Sequence, residues 1–153
     1  MFRSGQFVAE QFGDLRDSQV QPNGVDLTFD AVFEQTEPGR IEQGDKVVGE
    51  RNELDATDGV YHLEPGGYVV RYGEQIQIPA GHVGFLYPRS SLLRNSCMLD
   101  TAVWDAGYKG RGEGLLEVYH DIELERGARI AQLVLSKANH SERYDGSYQN
   151  ENM

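Results

Sequence analysis

An all-β domain is the fold class that this 153-residue sequence predicts, and three observations carry the prediction. Eighteen glycines punctuate short apolar runs, as in domains built from many strands and turns. Ile76 and Ile78 alternate with Gln75 and Gln77, so one face of that run is buried and the other wet. Ile130-Ala131-Gln132-Leu133-Val134-Leu135 is apolar on both faces apart from Gln132, which places it in the middle of a sheet.

Taken in order, the expected strands cover residues 25–33, 67–72, 75–78, 82–87, 115–119 and 129–135. Pro79 and Pro88 bracket the run 83–87, because proline cannot donate to a strand ladder. After Pro88, Arg89-Ser90-Ser91-Leu92-Leu93-Arg94 reads as one short helix with a serine at its start. Residues 34–59 are polar and broken by Gly39, Gly44 and Gly49, which suits a long loop or excursion rather than a second domain. Residues 139–153 lack a periodic apolar face yet carry Tyr144 and Tyr148. The expected organisation is a β domain over 1–138 followed by a C-terminal arm over 139–153.

Composition narrows the function classes. Hydrophobic residues at 39% and charged residues at 25% suit one packed core rather than disorder. No apolar run approaches the roughly 20 residues of a membrane span, and the opening Met1 to Gln6 lacks the apolar stretch of a secretory signal. A cytoplasmic protein is expected. Fourteen basic against 25 acidic residues give a net charge of -11, which argues against general binding to nucleic acid or anionic membranes. Only Lys46, Lys109 and Lys137 are lysines, and such an acidic, lysine-poor chain resembles proteins of salt-loving archaea. The charge is uneven: residues 1–77 stand at -9 and residues 78–153 at -2. An anionic ligand should therefore find most of its cationic partners in the second half.

Cys97 is the only cysteine, so an intramolecular disulfide is impossible and a zinc deaminase of the Pro-Cys-x-x-Cys type is excluded. A small packed side chain is the simpler role for it. The four histidines show no metal-ligand spacing.

Four segments can carry chemistry. Arg89, Ser90 and Ser91 at a helix start offer a guanidinium fork, hydroxyls and free backbone N–H groups to a phosphate. Equally, Ser90 caps the helix while the arginines pair with surface carboxylates. Trp104-Asp105-Ala106-Gly107-Tyr108-Lys109-Gly110 suggests a tight hairpin whose backbone can face a planar base edge, with Asp105 at the lip. The plainer reading is an Asp-initiated turn with Tyr108 as packing. Asp26, inside an apolar strand start, is either a turn former or a group behind a metal. Gln132 can bridge backbone groups or reach a ligand.

Gly24-Val25-Asp26-Leu27, Pro88-Arg89-Ser90-Ser91-Leu92, Asp105-Ala106-Gly107-Tyr108-Lys109-Gly110 and Ala128-Arg129-Ile130-Ala131-Gln132 occur in this order, followed by a Tyr-x-Gly-x-Tyr-Gln tail. In these segments the sequence resembles the dUTPase and dCTP deaminase superfamily, most closely its archaeal dUTPase branch. The resemblance implies a distorted jelly-roll (β-clip) domain assembled as a homotrimer, with active sites at subunit interfaces. It implies hydrolysis of dUTP to dUMP and diphosphate, which limits uracil in DNA and supplies dUMP for dTMP synthesis. Asp26 would hold Mg²⁺ through water. Arg89, Ser90 and Ser91 would bind the phosphates from a neighbouring subunit, Gln132 would reach a phosphate, and Arg94 would bind the nucleotide. The hairpin with Ala102 would read the pyrimidine, Tyr108 would pack on the deoxyribose, and Asp105 would touch the 3′-hydroxyl or orient the attacking water. The arm with Tyr144, Tyr148 and Gln149 would close over the nucleotide, with Tyr148 as the base-stacking ring.

Two departures matter. The arm lacks the Gly-rich, Phe-containing segment of ordinary trimeric dUTPases and is closer to the deaminase branch. Glu117 falls where the deaminases keep a proton-shuttling glutamate, which makes dCTP deamination, alone or with hydrolysis of the product, the alternative. A non-catalytic nucleotide-binding β-domain is a further alternative. The short segment 101–105 and the connection Arg111-Gly112-Glu113-Gly114 favour the dUTPase branch.

Overall fold

The apolar run near the C-terminus forms the strand Arg129–Lys137, buried on both faces and paired on both sides, one place in from the end of the sheet. Ile130, Ala131, Leu133 and Leu135 are fully or almost fully buried. The structure is a computed structural model that describes residues 1–140 and 142–153, so the expected arm contains one position outside the described residues.

Fourteen strands occur among the described residues. They are β1 (Val20–Gln21), β2 (Gly24–Gln35), β3 (Arg40–Ile41), β4 (Lys46–Val47), β5 (Arg51–Glu53), β6 (Val60–Leu63) and β7 (Gly66–Tyr72), followed by β8 (Ile76–Gln77), β9 (His82–Pro88), β10 (Cys97–Asp100), β11 (Lys109–Gly110), β12 (Glu113–Val118), β13 (Ile122–Glu125) and β14 (Arg129–Lys137). The main sheet runs β10-β12-β7-β2-β14-β9, antiparallel throughout, with β1 and β5 added to β2. It curls until β10 lies against β9, which nearly closes the barrel. The ribbons β8–β11, β6–β13 and β3–β4 complete the strands. The core inside the curl is built around Leu27, Phe29, Tyr61, Tyr72, Ile76, Leu116 and Leu133. The all-β, distorted jelly-roll expectation stands. No helix of the described residues is long and apolar enough to cross a membrane.

Three expectations change. Besides the expected helix α2 (Ser90–Arg94), a second short helix, α1 (Gly5–Ala9), is present. Ser4 Oγ accepts from the Phe7 N–H at 3.3 Å to start it, and Val8 is fully buried beneath it. Burying one such side chain stabilises by about 1.5–3 kcal/mol, which explains why a five-residue helix holds. At α2, Arg89 rather than Ser90 occupies the cap position, and no side chain caps that end. Finally, the stretch 34–59 is not a plain loop: it contains β3, β4 and β5, of which β5 extends the sheet along β2.

The segment after Trp104 also differs from a self-paired hairpin. Trp104 exchanges backbone hydrogen bonds with Gly84 on β9, whereas β11 pairs with β8. Between them the Tyr108 N–H donates to the Asp105 carbonyl at 3.2 Å. Gly107 adopts φ +89°, a conformation that favours glycine. The result is a turn whose outer edge is free to meet something else.

Candidate functional site

The first polar centre is built around Asp26, which is 1% exposed. Gln132 is its direct partner across the β2–β14 ladder and donates from Nε2 to Asp26 Oδ1 at 3.3 Å. Arg129 NH1 donates to Asp26 Oδ2 at 3.2 Å, and Arg89 Nε lies 3.1 Å from the same oxygen. Arg129 and Gln132 are three apart, so in a regular strand they would point to opposite faces. The register shift between Arg129 and Ala131 brings both to Asp26. Arg89 is carried in by β9, where its N–H donates to the Ile130 carbonyl at 2.9 Å. Arg129 NH1 also donates to the Ser18 carbonyl, and both arginine side chains remain about a third exposed (33% and 30%), which leaves part of each guanidinium open to solvent. Such a fork suits a phosphate. Ser90 and Ser91 are exposed beside it, at the start of α2. Arg94 lies at the other end of α2, where NH1 approaches the Ser90 carbonyl at 3.4 Å.

The second centre is a recess of about 480 Å³ at the Asp105 turn, lined by Ala102, Trp104, Asp105, Tyr108, Tyr144 and Tyr148 among others. Tyr108 is buried and meets Trp104 edge-on at 4.9 Å and Tyr144 at 5.7 Å. The Tyr108 hydroxyl donates to Glu151 Oε1 at 2.7 Å. Burial and this carboxylate push the phenol far above its ordinary range, so it stays a donor. Asp105 and Ala102 are exposed at the rim.

The arm lies along the free edge of this turn. Tyr144 donates its N–H to the Ala106 carbonyl at 2.8 Å, and Asn150 does so to Lys109 at 2.7 Å. Gln149 holds the edge with its side chain: Nε2 donates to the Gly107 carbonyl at 2.9 Å and Oε1 accepts from the Lys109 N–H at 3.0 Å. The turn thus presents an acceptor and a donor side by side, matched to a planar amide.

The expected residues therefore divide into two groups. Asp26, Arg89 and Gln132 converge, with Ser90 and Ser91 alongside. Asp105, Ala102, Tyr108, Tyr144, Tyr148 and Gln149 converge separately, and none of the first group lines the recess of the second. Arg94 joins neither. Glu117 is half-exposed on β12, accepts from the Tyr119 hydroxyl at 3.0 Å and does not line the recess either. The β12 carboxylate that does is Glu113, which Arg51 grips. Arg51, Glu113 and Glu151 were not singled out by the sequence. Arg51 comes from the strongly acidic first half, where charge counting did not place the cationic partners of an anionic ligand. Cys97 is buried and its thiol is pushed up by burial, as suits a packed side chain. No group of three His, Cys, Asp or Glu among the described residues could hold a metal ion.

A curled antiparallel sheet thus carries two candidate centres, an arginine-framed carboxylate on one flank and an aromatic recess with an amide-holding edge on another, in one β-barrel domain. The chain belongs to the dCTP deaminase-like family, whose model matches residues 1–138. A Halobacterium salinarum protein named probable deoxyuridine 5′-triphosphate nucleotidohydrolase is 57% identical over 157 residues, covering 99% of this chain and 95% of that one. An Aeropyrum pernix protein of the same name is 44% identical over 138 residues, covering 88% and 87%. Among solved structures, a 2′-deoxycytidine 5′-triphosphate deaminase from Agrobacterium tumefaciens shares the fold with a TM-score of 0.68 at 21% identity. The match covers 90% of this chain but only 48% of that deaminase, so this chain spans about half its length. The dUTPase of Staphylococcus aureus phage phi11 matches over 100% of this chain and 98% of its own, with a TM-score of 0.56 at 16% identity.

Proposed function

We propose that this protein hydrolyses dUTP to dUMP and diphosphate in the cytoplasm, as a self-assembled oligomer, most simply a homotrimer. The observation that carries the reading is the Gly107–Lys109 edge, whose paired acceptor and donor already hold a carboxamide and match the adjacent N–H and C=O of uracil. The extent of the likeness to the Halobacterium salinarum protein supports dUTP over dCTP.

In this reading Tyr108 packs against the deoxyribose, and Asp105 accepts a hydrogen bond from the 3′-hydroxyl or the attacking water. Tyr144, Tyr148 and Gln149 belong to the arm that covers the nucleoside, and Gln149 leaves the Gly107–Lys109 edge when the base takes it. Arg89, Arg129, Gln132, Ser90 and Ser91 receive the triphosphate. Water attacks the α-phosphorus, the bond to the bridging oxygen breaks, and diphosphate leaves. Positioning and charge neutralisation account for most of such catalysis. The two halves lie apart on one chain, so a complete site calls for a second copy. Exposed Tyr87, Leu93, Val103 and Tyr119 offer apolar surface for that contact.

Asp26 fits Mg²⁺ only as a single carboxylate behind water, since two arginines and a glutamine already surround it. That is compatible with an ion arriving on a triphosphate and keeping most of its waters. The ion would lessen the negative charge of the phosphates.

The test is incubation with dUTP and with dCTP, in Mg²⁺ and high salt, with diphosphate and ammonia read in both. Diphosphate from dUTP without ammonia from dCTP is expected, in the wild type and in Glu117→Gln alike. Ammonia from dCTP that disappears in Glu117→Gln overturns the reading in favour of a deaminase.

A further inference from the structure

Residues 36–59 have no part in the proposed chemistry, yet they reach the recess. Val48 and Arg51 line it together with Tyr148 and Glu151 of the arm. Lys46 Nζ sits 4.5 Å from the centre of the Tyr148 ring. The excursion therefore touches the arm as well as the recess wall.

Arg51 forms a two-pronged pair with Glu113, NH1 to Oε2 at 2.7 Å and NH2 to Oε1 at 2.5 Å. Its guanidinium also lies over the Phe33 ring at 4.3 Å. Both partners are largely buried, at 26% and 20% side-chain exposure, so the pair is a fixed part of the wall. Glu151 shares the recess lining with them. Asn152 Nδ2 reaches Glu113 Oε1 at 3.4 Å and the Arg111 carbonyl at 2.9 Å. Two carboxylates, one on the wall and one on the arm, thus converge where Arg51 is the cation among the lining residues. Like charges in a partly buried site repel strongly unless compensated.

We infer that Arg51 and Lys46 latch the C-terminal arm over the recess, with Arg51 acting as a positioning residue through Glu113. The inference rests on the proposed reading of the recess as the nucleoside half-site. Arg51 neutralises the Glu113–Glu151 pair, and this lets Glu151 meet Tyr108 and seat the arm. Lys46 adds a cation–π contact on the face of Tyr148. Lysine at position 51 keeps the charge but not the planar fork, so it restores only part of the effect.

Trp104 is the only tryptophan and lines the recess, so acrylamide quenching of its fluorescence reports arm seating without any nucleotide. In the full-length protein, Arg51→Ala is expected to raise quenching about two-fold, as for one member removed from a largely buried pair. In a Glu151→Gln background the same substitution should have less than half that logarithmic effect, because the repulsion is gone. Arg51→Lys should fall between. If Arg51→Ala fails to fold, Lys46→Ala carries the test, with a rise in quenching of about 1.5-fold. Unchanged quenching in the folded variants, or full additivity of Arg51→Ala with Glu151→Gln, overturns the latch. A protein that turns over no dUTP but shows the quenching pattern keeps the latch and loses the proposed reaction. One that turns over dUTP with unchanged quenching does the reverse.

Discussion

The Tyr108 hydroxyl donates to Glu151 at 2.7 Å, which ties the last turn of the arm to the floor of the recess. Burial raises the Glu151 carboxyl above its ordinary value of 4.5, Glu113 adds to the rise, and the Tyr108 bond and Arg51 oppose it. A docked carboxyl that keeps its proton to higher pH than a free one favours docking at low pH. That contribution is complete below the ordinary value and is lost as pH rises through the raised one. Quenching of Trp104 by acrylamide should therefore increase as pH rises across this window. Glu151→Gln should flatten the change, and an identical pH profile in that variant would show that another group is responsible.

Asp26 is nearly inaccessible, but its two arginine partners are about a third exposed, which sets the size of the second effect. Removing one member of a fully buried pair costs about 3–5 kcal/mol, and solvent screening of the arginines places Asp26→Ala at about 3 kcal/mol. Asp26→Asn keeps a partner for Gln132 and should lose less. Urea denaturation, which adds no salt, measures both. A loss under about 1 kcal/mol for the alanine variant would mean that the guanidinium groups are already solvated in the folded chain.

Much of the sheet was legible in the sequence because burial there follows simple periods. The run 130–135 is apolar on both faces and became an interior strand, flanked by β2 and β9 rather than central. Ile76 and Ile78 alternate with glutamines and are both buried, although the strand itself is cut back from 75–78 to Ile76–Gln77. What was hidden had weak or distant signals. Strands β3 and β4 are exposed on both faces, so no apolar period marks them. The five residues of α1 are too few for a helical period, although Ser4 ahead of Phe7 and Val8 is a usable start signal. Glu113 and Glu117 lie on the same face of β12, four residues apart, and their local sequence does not tell which one reaches the recess. That depends on Arg51, 62 positions away from Glu113. The residues of both candidate centres were nameable from motifs, but their separation on one chain was a matter of geometry.

Gly112 marks a close approach that any side chain would break. A Cβ there would stand 2.0 Å from the Trp104 ring, whereas one at Gly44 would meet nothing within 4 Å. Overpacking typically costs about 1–3 kcal/mol, and Gly112→Ala should reach the upper end because a ring between Tyr72 and Tyr108 has little room to move. Gly44→Ala should stay within about 0.5 kcal/mol. Urea midpoints separate the two, and the Trp104 emission maximum should shift only in the first. Equal midpoints would mean that the wall of the recess relaxes freely.

The separation of the two half-sites gives the most direct test of assembly. Arg89→Ala removes a proposed phosphate ligand from one half and Asp105→Asn is expected to disable the other, so each variant alone should be nearly inactive in the proposed reaction. If a site draws one half from each of two copies, an oligomer containing both variants regenerates some intact sites. Random mixing at equal amounts leaves each half intact with even odds, so about a quarter of the sites recover, as expected for a heterologous ring. Co-expression of the two variants under distinguishable tags, with purification through both, isolates the mixed oligomers. Activity well above either parent, relative to the wild type treated alike, is the expected result. Mixed oligomers no more active than their parents would place both halves of each site on one chain, and the arm and the Asp105 turn would then have to move towards Asp26 when nucleotide binds.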